Sequence, residues 1–198
     1  MREQGMTSAY ARGRSEPHRT RADEARLANL LDRESDGYAP HTRPAGDLTY
    51  VRVGGDWAYV CLLAGLADRG IAGHSAGRTR DASLVLGAFA TLDFPPADVQ
   101  VFHTDRGGEF DNTRIDEPLD VFGIKRSLPC KGNPYDNAVV ESTNRLLKKE
   151  LVYRNHYTTI EQLRHDLNDY VWWSDNRRLH SALGYRSPKE ITEQGLVL

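Results

Sequence analysis

A chain of 198 residues with 39% hydrophobic content can bury one packed core with extensions, and its net charge of −2 argues against a protein that simply coats DNA. Its two cysteines, Cys61 and Cys130, form no Cys-x-x-Cys pair, which excludes a disulfide scaffold and a zinc module and fits a reducing compartment. No stretch approaches the ~18 apolar residues of a membrane span, and no apolar run follows Arg2 to make a secretory signal.

Residues 1–45 are polar and rich in Arg, Ser, Gly and Pro, and only Leu27, Leu30 and Leu31 suggest a helical turn. They read as a largely disordered lead-in. At Asp47 the texture changes. Leu48 to Val53 is β-branched and aromatic, Gly54-Gly55-Asp56 is a turn, and Trp57 to Ala64 resumes the pattern, which together read as a β-hairpin. Ile71 to Gly77 is a weaker third strand. Thr79 is placed as the cap of a helix with Asp81 in its first turn, where negative charge favours the positive helix end. Leu84, Val85, Ala88, Phe89 and Leu92 share one face of that helix, and Pro95-Pro96 ends it.

Val99 to Phe102 reads as a short buried strand delivering Asp105 at its carboxyl end. A helix over 112–122, a strand over 124–128, a loop over 129–137 and a helix from Ala138 to about Val152 follow. A meander followed by alternating strands and helices predicts an α/β fold with a mixed five-stranded sheet and helices on both faces. The tail adds a C-terminal helical extension. Thr158-Thr159 cap a helix over 160–173, with Leu163, Leu167, Tyr170 and Val171 as its packing stripe, and Ser187-Pro-Lys-Glu190 is a capping box. Trp172 and Trp173 are expected in the core. The domain reading is a lead-in over 1–45, a core over 46–155 and an extension over 156–198.

Three acids stand in distinctive frames. Asp105 ends an apolar strand and runs into Arg106-Gly107-Gly108, and glycines let a backbone approach a ligand closely. Sites in open α/β sheets form outside the carboxyl ends of strands. Glu141 opens an amphipathic helix in which Asn137, Glu141, Asn144, Arg145 and Lys148 fall within about 100° of one another, opposite Val139, Val140, Leu146, Leu147 and Leu151. The acid suits a cation and the neighbouring bases suit phosphate oxygens. Asp47 begins the first strand. Three such acids brought together can hold two divalent cations, a common arrangement for cutting and joining nucleic-acid backbones. His103 shares the strand face of Asp105 and is read as a core residue or a support behind the site rather than a metal ligand.

Three blocks carry a family resemblance: His103-Thr-Asp-Arg-Gly-Gly-Glu-Phe110, Lys131-Gly-Asn-Pro-Tyr-Asp-Asn-Ala-Val-Val-Glu141-Ser142, and Asn176-Arg-Arg-Leu-His-Ser-Ala-Leu-Gly-Tyr-Arg-Ser-Pro188. In order and spacing they resemble bacterial insertion-sequence transposases of the retroviral-integrase-like superfamily, over about Asp47 to Lys189. The resemblance implies an RNase H-like core and a catalytic, metal-binding triad of Asp47, Asp105 and Glu141. It implies two Mg²⁺ ions, with Mn²⁺ as a substitute, which suits carboxylate oxygens. The implied reaction is nicking at a transposon 3′ end followed by attack of the freed 3′-OH on target DNA. Asn133, Asn137, Arg145, Lys148, Arg177 and Arg178 are assigned to DNA. The implied partners are the element's terminal repeats and target DNA, further copies of the chain, and a DNA-binding protein from an upstream reading frame, all in a bacterial cytoplasm at the nucleoid.

The chain departs from the family pattern at four places. Pro44-Ala-Gly46 replaces Trp-x-x before the first acid, and Ala64-Gly65 replaces an acidic pair on the second strand. Cys130 replaces a base, and Asp175 stands where Asn is usual. With the short lead-in, these make a core fragment the expectation. They also keep open a catalytically impaired remnant that binds DNA or co-assembles with an intact transposase, and a hydrolytic nuclease of the same fold.

Overall fold

The computed structural model describes residues 29–31, 37–129 and 137–196. Its elements run β1 (Pro44–Val53), β2 (Asp56–Gly65), β3 (Ile71–Gly77), α1 (Ala82–Phe89), β4 (Val101–Thr104), α2 (Thr113–Phe122), β5 (Lys125–Ser127), α3 (Ala138–Glu150), α4 (Ile160–Asn176) and α5 (Pro188–Glu193). The sheet order is β3-β2-β1-β4-β5. β1, β2 and β3 form an antiparallel meander, and β4 and β5 add in parallel on the other side of β1. The β1–β2 turn pairs Val53 with Asp56, and Gly54 takes a φ of 63° there, which a residue without Cβ adopts at no steric cost.

Alternation along the strands divides the core between two layers of helix. On one face Val51, Val53, Val60 and Leu62 pack with Leu147 of α3 and with Leu163, Leu167, Tyr170 and Val171 of α4. On the other, Cys61, Leu63, Phe102 and Phe110 pack with Val85 and Ala88 of α1 and Ile115 and Leu119 of α2. Full burial of each such side chain contributes roughly 1.5–3 kcal/mol. The outer edge of β3 is closed by side chains. Thr91 Oγ1 accepts the His74 N–H at 2.8 Å, and Arg164 Nε donates to the Ala76 carbonyl at 2.9 Å, which removes groups that another strand would pair with.

Two sequence expectations are corrected, the cap of α1 and the place of the two tryptophans of α4, and the surroundings of the lead-in and the extension become visible. Asp81, not Thr79, caps α1: its extended backbone and side chain receive the N–H groups of Ser83 and Leu84, which a residue inside the first turn could not do. The described part of the lead-in is built into the fold. Leu31 is buried with Ala45, Ala64, Val101 and Val140, the Leu30 N–H donates to Ser127 Oγ at 2.9 Å, and Arg43 stacks on Tyr38 at 3.8 Å. The boundary at residue 45 falls inside β1, and Leu27 lies outside the described residues. The extension beginning at 156 shares its apolar stripe with β1 and β2 in one core, so α4 is a layer of the same fold. Trp172 and Trp173 are exposed, because the packing stripe of α4 passes through Tyr170, Val171 and Ser174 instead.

Three of the four departures have a local partner. A Cβ at Gly46 would stand 2.8 Å from the Phe102 ring, so glycine lets β1 lie close over that ring. The space a side chain at Gly65 would need is filled by the Asp68 carboxylate, which also accepts from the Gly70 N–H and the Thr192 hydroxyl. Asp175 Oδ1 accepts the Ile71 N–H at 2.9 Å and ties α4 to the start of β3. Cys130 lies outside the described residues.

Burial, with the charges of Asp68 and Asp93 adding to it, raises the Asp175 carboxyl to about 7, against the hydrogen bond from Ile71. A carboxyl whose folded pKa is raised binds its proton more tightly when folded. Stability is therefore highest below about pH 4 with respect to this group and falls as pH rises to about 7, by up to roughly 4 kcal/mol. Asp175→Asn keeps an acceptor for Ile71 and removes the charge. Urea melts should find it more stable than the parent at pH 8, with the difference closing towards pH 4; parallel curves would show that Asp175 does not titrate in this window.

Candidate active site

The site forms where β1 and β4 end their pairing. Their parallel register sets Ala45 against His103 and Gly46 against Thr104, so Asp47, inside β1, and Asp105, just past the end of β4, come at the same level of adjoining strands. Asp105 is held by its own turn: Oδ1 accepts the Gly107 N–H at 2.9 Å. α3 crosses the same end. Its Asn144 Nδ2 donates to Asp47 Oδ2 at 2.9 Å, while Asp47 Oδ1 accepts the Leu48 N–H at 2.8 Å. Glu141 lies one turn before Asn144 on the exposed side of the helix.

Electrostatics tie the three acids together. Burial raises the Asp47 carboxyl to about 6. The hydrogen bonds from Asn144 and Leu48 oppose that rise, and the charges of Asp105 and Glu141 add to it. The three acids thus share one end of the sheet, as the sequence frames imply. They do not close on one point: among the described residues no three acidic, His or Cys side chains are grouped tightly enough to enclose a metal ion. The donor chemistry nevertheless suits a hard divalent cation, since carboxylate oxygens are its preferred ligands. Asn137 Oδ1 and Asn144 Oδ1 are also buried acceptors without a hydrogen-bond partner among the described residues.

The helical wheel of α3 needs adjustment. Its buried stripe is Val140, Asn144 and Leu147, so Asn144 belongs to the packed side. Leu146 is only partly buried. Asn144 lies between Glu141 and Val140 on the wheel, and the approach of Asp47 turns that edge inward. A second missed residue is Glu109. It is buried, pairs with Arg80 at 3.2 Å, and lies so close under Gly107 that a Cβ there would stand 2.6 Å from its carboxyl carbon. An acid wedged before Phe110 gives no sequence sign of a partner 29 residues upstream.

The expected DNA contacts divide. Asn137 precedes α3 and Arg145 is exposed on it. Lys148 reaches the Tyr50 ring, with Nζ 4.2 Å from its centroid. Arg177 is exposed, 5.9 Å from the Trp172 ring. Arg178 is not available in the same way: it forks onto Glu150 at 2.8–3.1 Å, an ion pair that also receives the Tyr170 hydroxyl, so its charge is neutralised within the fold. Asn133 lies outside the described residues. His103 is fully buried, with Nδ1 2.9 Å from Ser127 Oγ, consistent with a core role.

Residues 123–188 match the integrase core domain family. The chain is 31% identical over 166 residues to the transposase of insertion sequence element IS904 from Lactococcus lactis, covering 82% of this chain and 66% of that protein. It is 32% identical over 172 residues to transposase InsF of IS3fB from Escherichia coli, covering 85% and 59%. The chain thus spans about three-fifths to two-thirds of the length of these relatives. Among solved structures, the catalytic core domain of HTLV-2 integrase, determined with magnesium, superposes with a TM-score of 0.59 at 18% identity over 79% of this chain and 98% of that one. A chain in the structure of a simian T-cell lymphotropic virus intasome in complex with PP2A regulatory subunit B56 gamma gives 0.66 at 16% identity, covering 79% and 56%. With its mixed five-stranded RNase H-like sheet and its matches to insertion-sequence transposases, the chain belongs to the transposase and integrase catalytic core family.

Proposed function

We propose that this chain is a DNA strand-transferase core that nicks the 3′ end of an insertion element and joins it to target DNA. The observation that carries this reading is that Asp47, tied to α3 through Asn144, feels the charges of both Asp105 and Glu141. Asp47 on β1, Asp105 just after β4 and Glu141 on α3 would hold Mg²⁺. Two ions are expected, with Mn²⁺ able to replace them. When bound, such ions activate an attacking oxygen and stabilise the leaving one. Asn144 fixes the Asp47 carboxylate, and the Gly107 N–H fixes that of Asp105. Arg145, Lys148 and Asn137 lie nearest and receive phosphate oxygens; Arg177 is a more distant contact, Asn133 stays in the set on sequence grounds alone, and Arg178 leaves it.

Pairing two DNA ends requires more than one copy, so an oligomer on DNA is part of the reading, as is a separate protein for end recognition. Among the described residues no helix is long and apolar enough to cross a membrane, and the proposed place of action is the bacterial nucleoid. The impaired-remnant reading has no observation in its favour, because Gly46, Gly65 and Asp175 each have a fitted partner. The test is a nicking and joining assay on the ends of the parent element with Mg²⁺. Joined product supports a strand transferase. Cleavage without joining supports a nuclease, and DNA binding without cleavage supports the remnant.

A further inference from the structure

The β1–β2 hairpin outruns the rest of the sheet. β1 pairs with β2 from Pro44↔Gly65 to Val53↔Asp56, but with β4 only at Ala45 and Gly46. Beyond Asp47 its outer face carries Tyr50, Arg52 and Trp57. Tyr50 is 56% and Trp57 48% exposed, unusual for rings of this size. The two meet edge to face at 5.1 Å. The Arg52 guanidinium stands over the Trp57 ring at 4.9 Å, and Lys148 Nζ over the Tyr50 ring at 4.2 Å. Neither cation forms an ion pair with an acid among the described residues. The acid nearest in register is Asp56 at the hairpin tip, beside Trp57.

Tyr50, Arg52 and Trp57 share the sheet face of Leu48 and Tyr59, opposite Asp47, and meet the acidic site round the edge of β1 that β4 leaves unpaired beyond Gly46. Asn144 touches Asp47 and Lys148 touches Tyr50, so β1 and α3 leave the carboxylates in the same direction. Tyr50 is three residues past Asp47, roughly 10 Å along a strand. Lys148 is seven past Glu141, again roughly 10 Å along a helix. That distance is about three base steps of DNA at ~3.4 Å each. Two cations free of internal acids, held on aromatic faces, are placed for phosphates. Exposed rings between them offer stacking, worth about 1–3 kcal/mol per unpaired base.

We propose that Tyr50, Arg52, Trp57 and Lys148 form a docking track for an unpaired DNA strand flanking the reacting phosphodiester, with Arg52 and Lys148 on phosphates and Trp57 and Tyr50 against bases. This rests on the strand-transferase reading and adds a second binding surface to it. The charge of the patch and its link to the acid-bearing helix through Lys148 favour DNA over a protein occupant.

The experiment is fluorescence anisotropy with the full chain, using a labelled blunt duplex and the same duplex with a single-stranded overhang, across a salt series. Arg52→Gln with Trp57→Ala should weaken binding of the overhang duplex about tenfold or more and that of the blunt duplex about twofold or less. Arg52→Gln alone should reduce the salt slope for the overhang duplex by about 0.7–0.9. Trp57→Phe should restore most of the affinity, since a ring remains. Both positions are exposed, and thermal melts of each variant confirm folding. Unchanged affinity and slope in the folded double variant overturn the track while leaving the strand-transferase reading intact. Unchanged DNA affinity with a shift to smaller species on sizing also overturns it, by making the face a contact between copies. A parent chain that binds neither DNA overturns the strand-transferase reading itself.

Discussion

Glu141→Gln eliminates Mg²⁺-dependent nicking of element-end DNA, with a rate loss on the order of 10³-fold or more, the scale seen when a central catalytic group is removed. Glu141 is exposed on α3 and outside the helix's buried stripe, so the amide changes no core contact. The melting temperature and the affinity for DNA should stay within error of the parent. A gel assay of end cleavage, run beside anisotropy, separates these readouts. Cleavage at the parental rate would remove Glu141 from the site.

Asn144→Ala gives the second large effect, by a different route. Asn144 is buried and its amide holds Asp47 Oδ2 at 2.9 Å. Losing a hydrogen bond to a charged group costs about 1.5–3 kcal/mol of stability. The same bond opposes the burial that raises the Asp47 carboxyl to about 6. Without it Asp47 holds its proton to still higher pH, and a protonated carboxyl is a poor cation ligand. The Mg²⁺ needed for half-maximal activity should rise about 10–100-fold, as when a group orienting a ligand is removed. The acid limb of the pH–rate profile should move to higher pH. A variant that is merely less stable, with unchanged Mg²⁺ dependence and pH profile, would restrict Asn144 to folding.

These two residues also show what the sequence could reveal. Glu141 was legible because it opens an amphipathic helix after a long, specific loop block, and Asp105 because an apolar strand ends on it. Asn144 was visible only as one more polar residue on the Glu141 face. Whether such a residue points out or in depends on what approaches the helix, and Asp47 lies 97 residues earlier. The same holds for Glu109 and Arg80, and for Arg178, whose partner Glu150 is on another helix. The meander, the parallel β4 and β5, and the two helical layers followed from period and turn chemistry. The order placing β1 between β2 and β4 does not follow from local pattern, because it depends on which strand edge β4 joins.

Departures from the family pattern read differently once their surroundings are known. A glycine before the first acid looked like a loss, but Phe102 leaves no room for a side chain there. Gly65 looked like a lost acid on β2. Three residues on, Asp68 brings a carboxylate into that space and binds Gly70 and Thr192. Asp175 in place of Asn keeps the bond to Ile71 at the cost of a buried charge. These are matched sets: Gly46 fits β1 over Phe102 of β4, and the other two link the sheet to a turn or helix beside it.

The central claim is that Asp47, Asp105 and Glu141 together hold divalent cations. Anomalous diffraction from crystals soaked in Mn²⁺ tests it most directly. The account predicts Mn²⁺ density held among Asp47, Asp105 and Glu141, and loss of that density in crystals of Asp105→Asn. Mn²⁺ bound elsewhere, with all three carboxylates left without a cation at saturating metal, would contradict it.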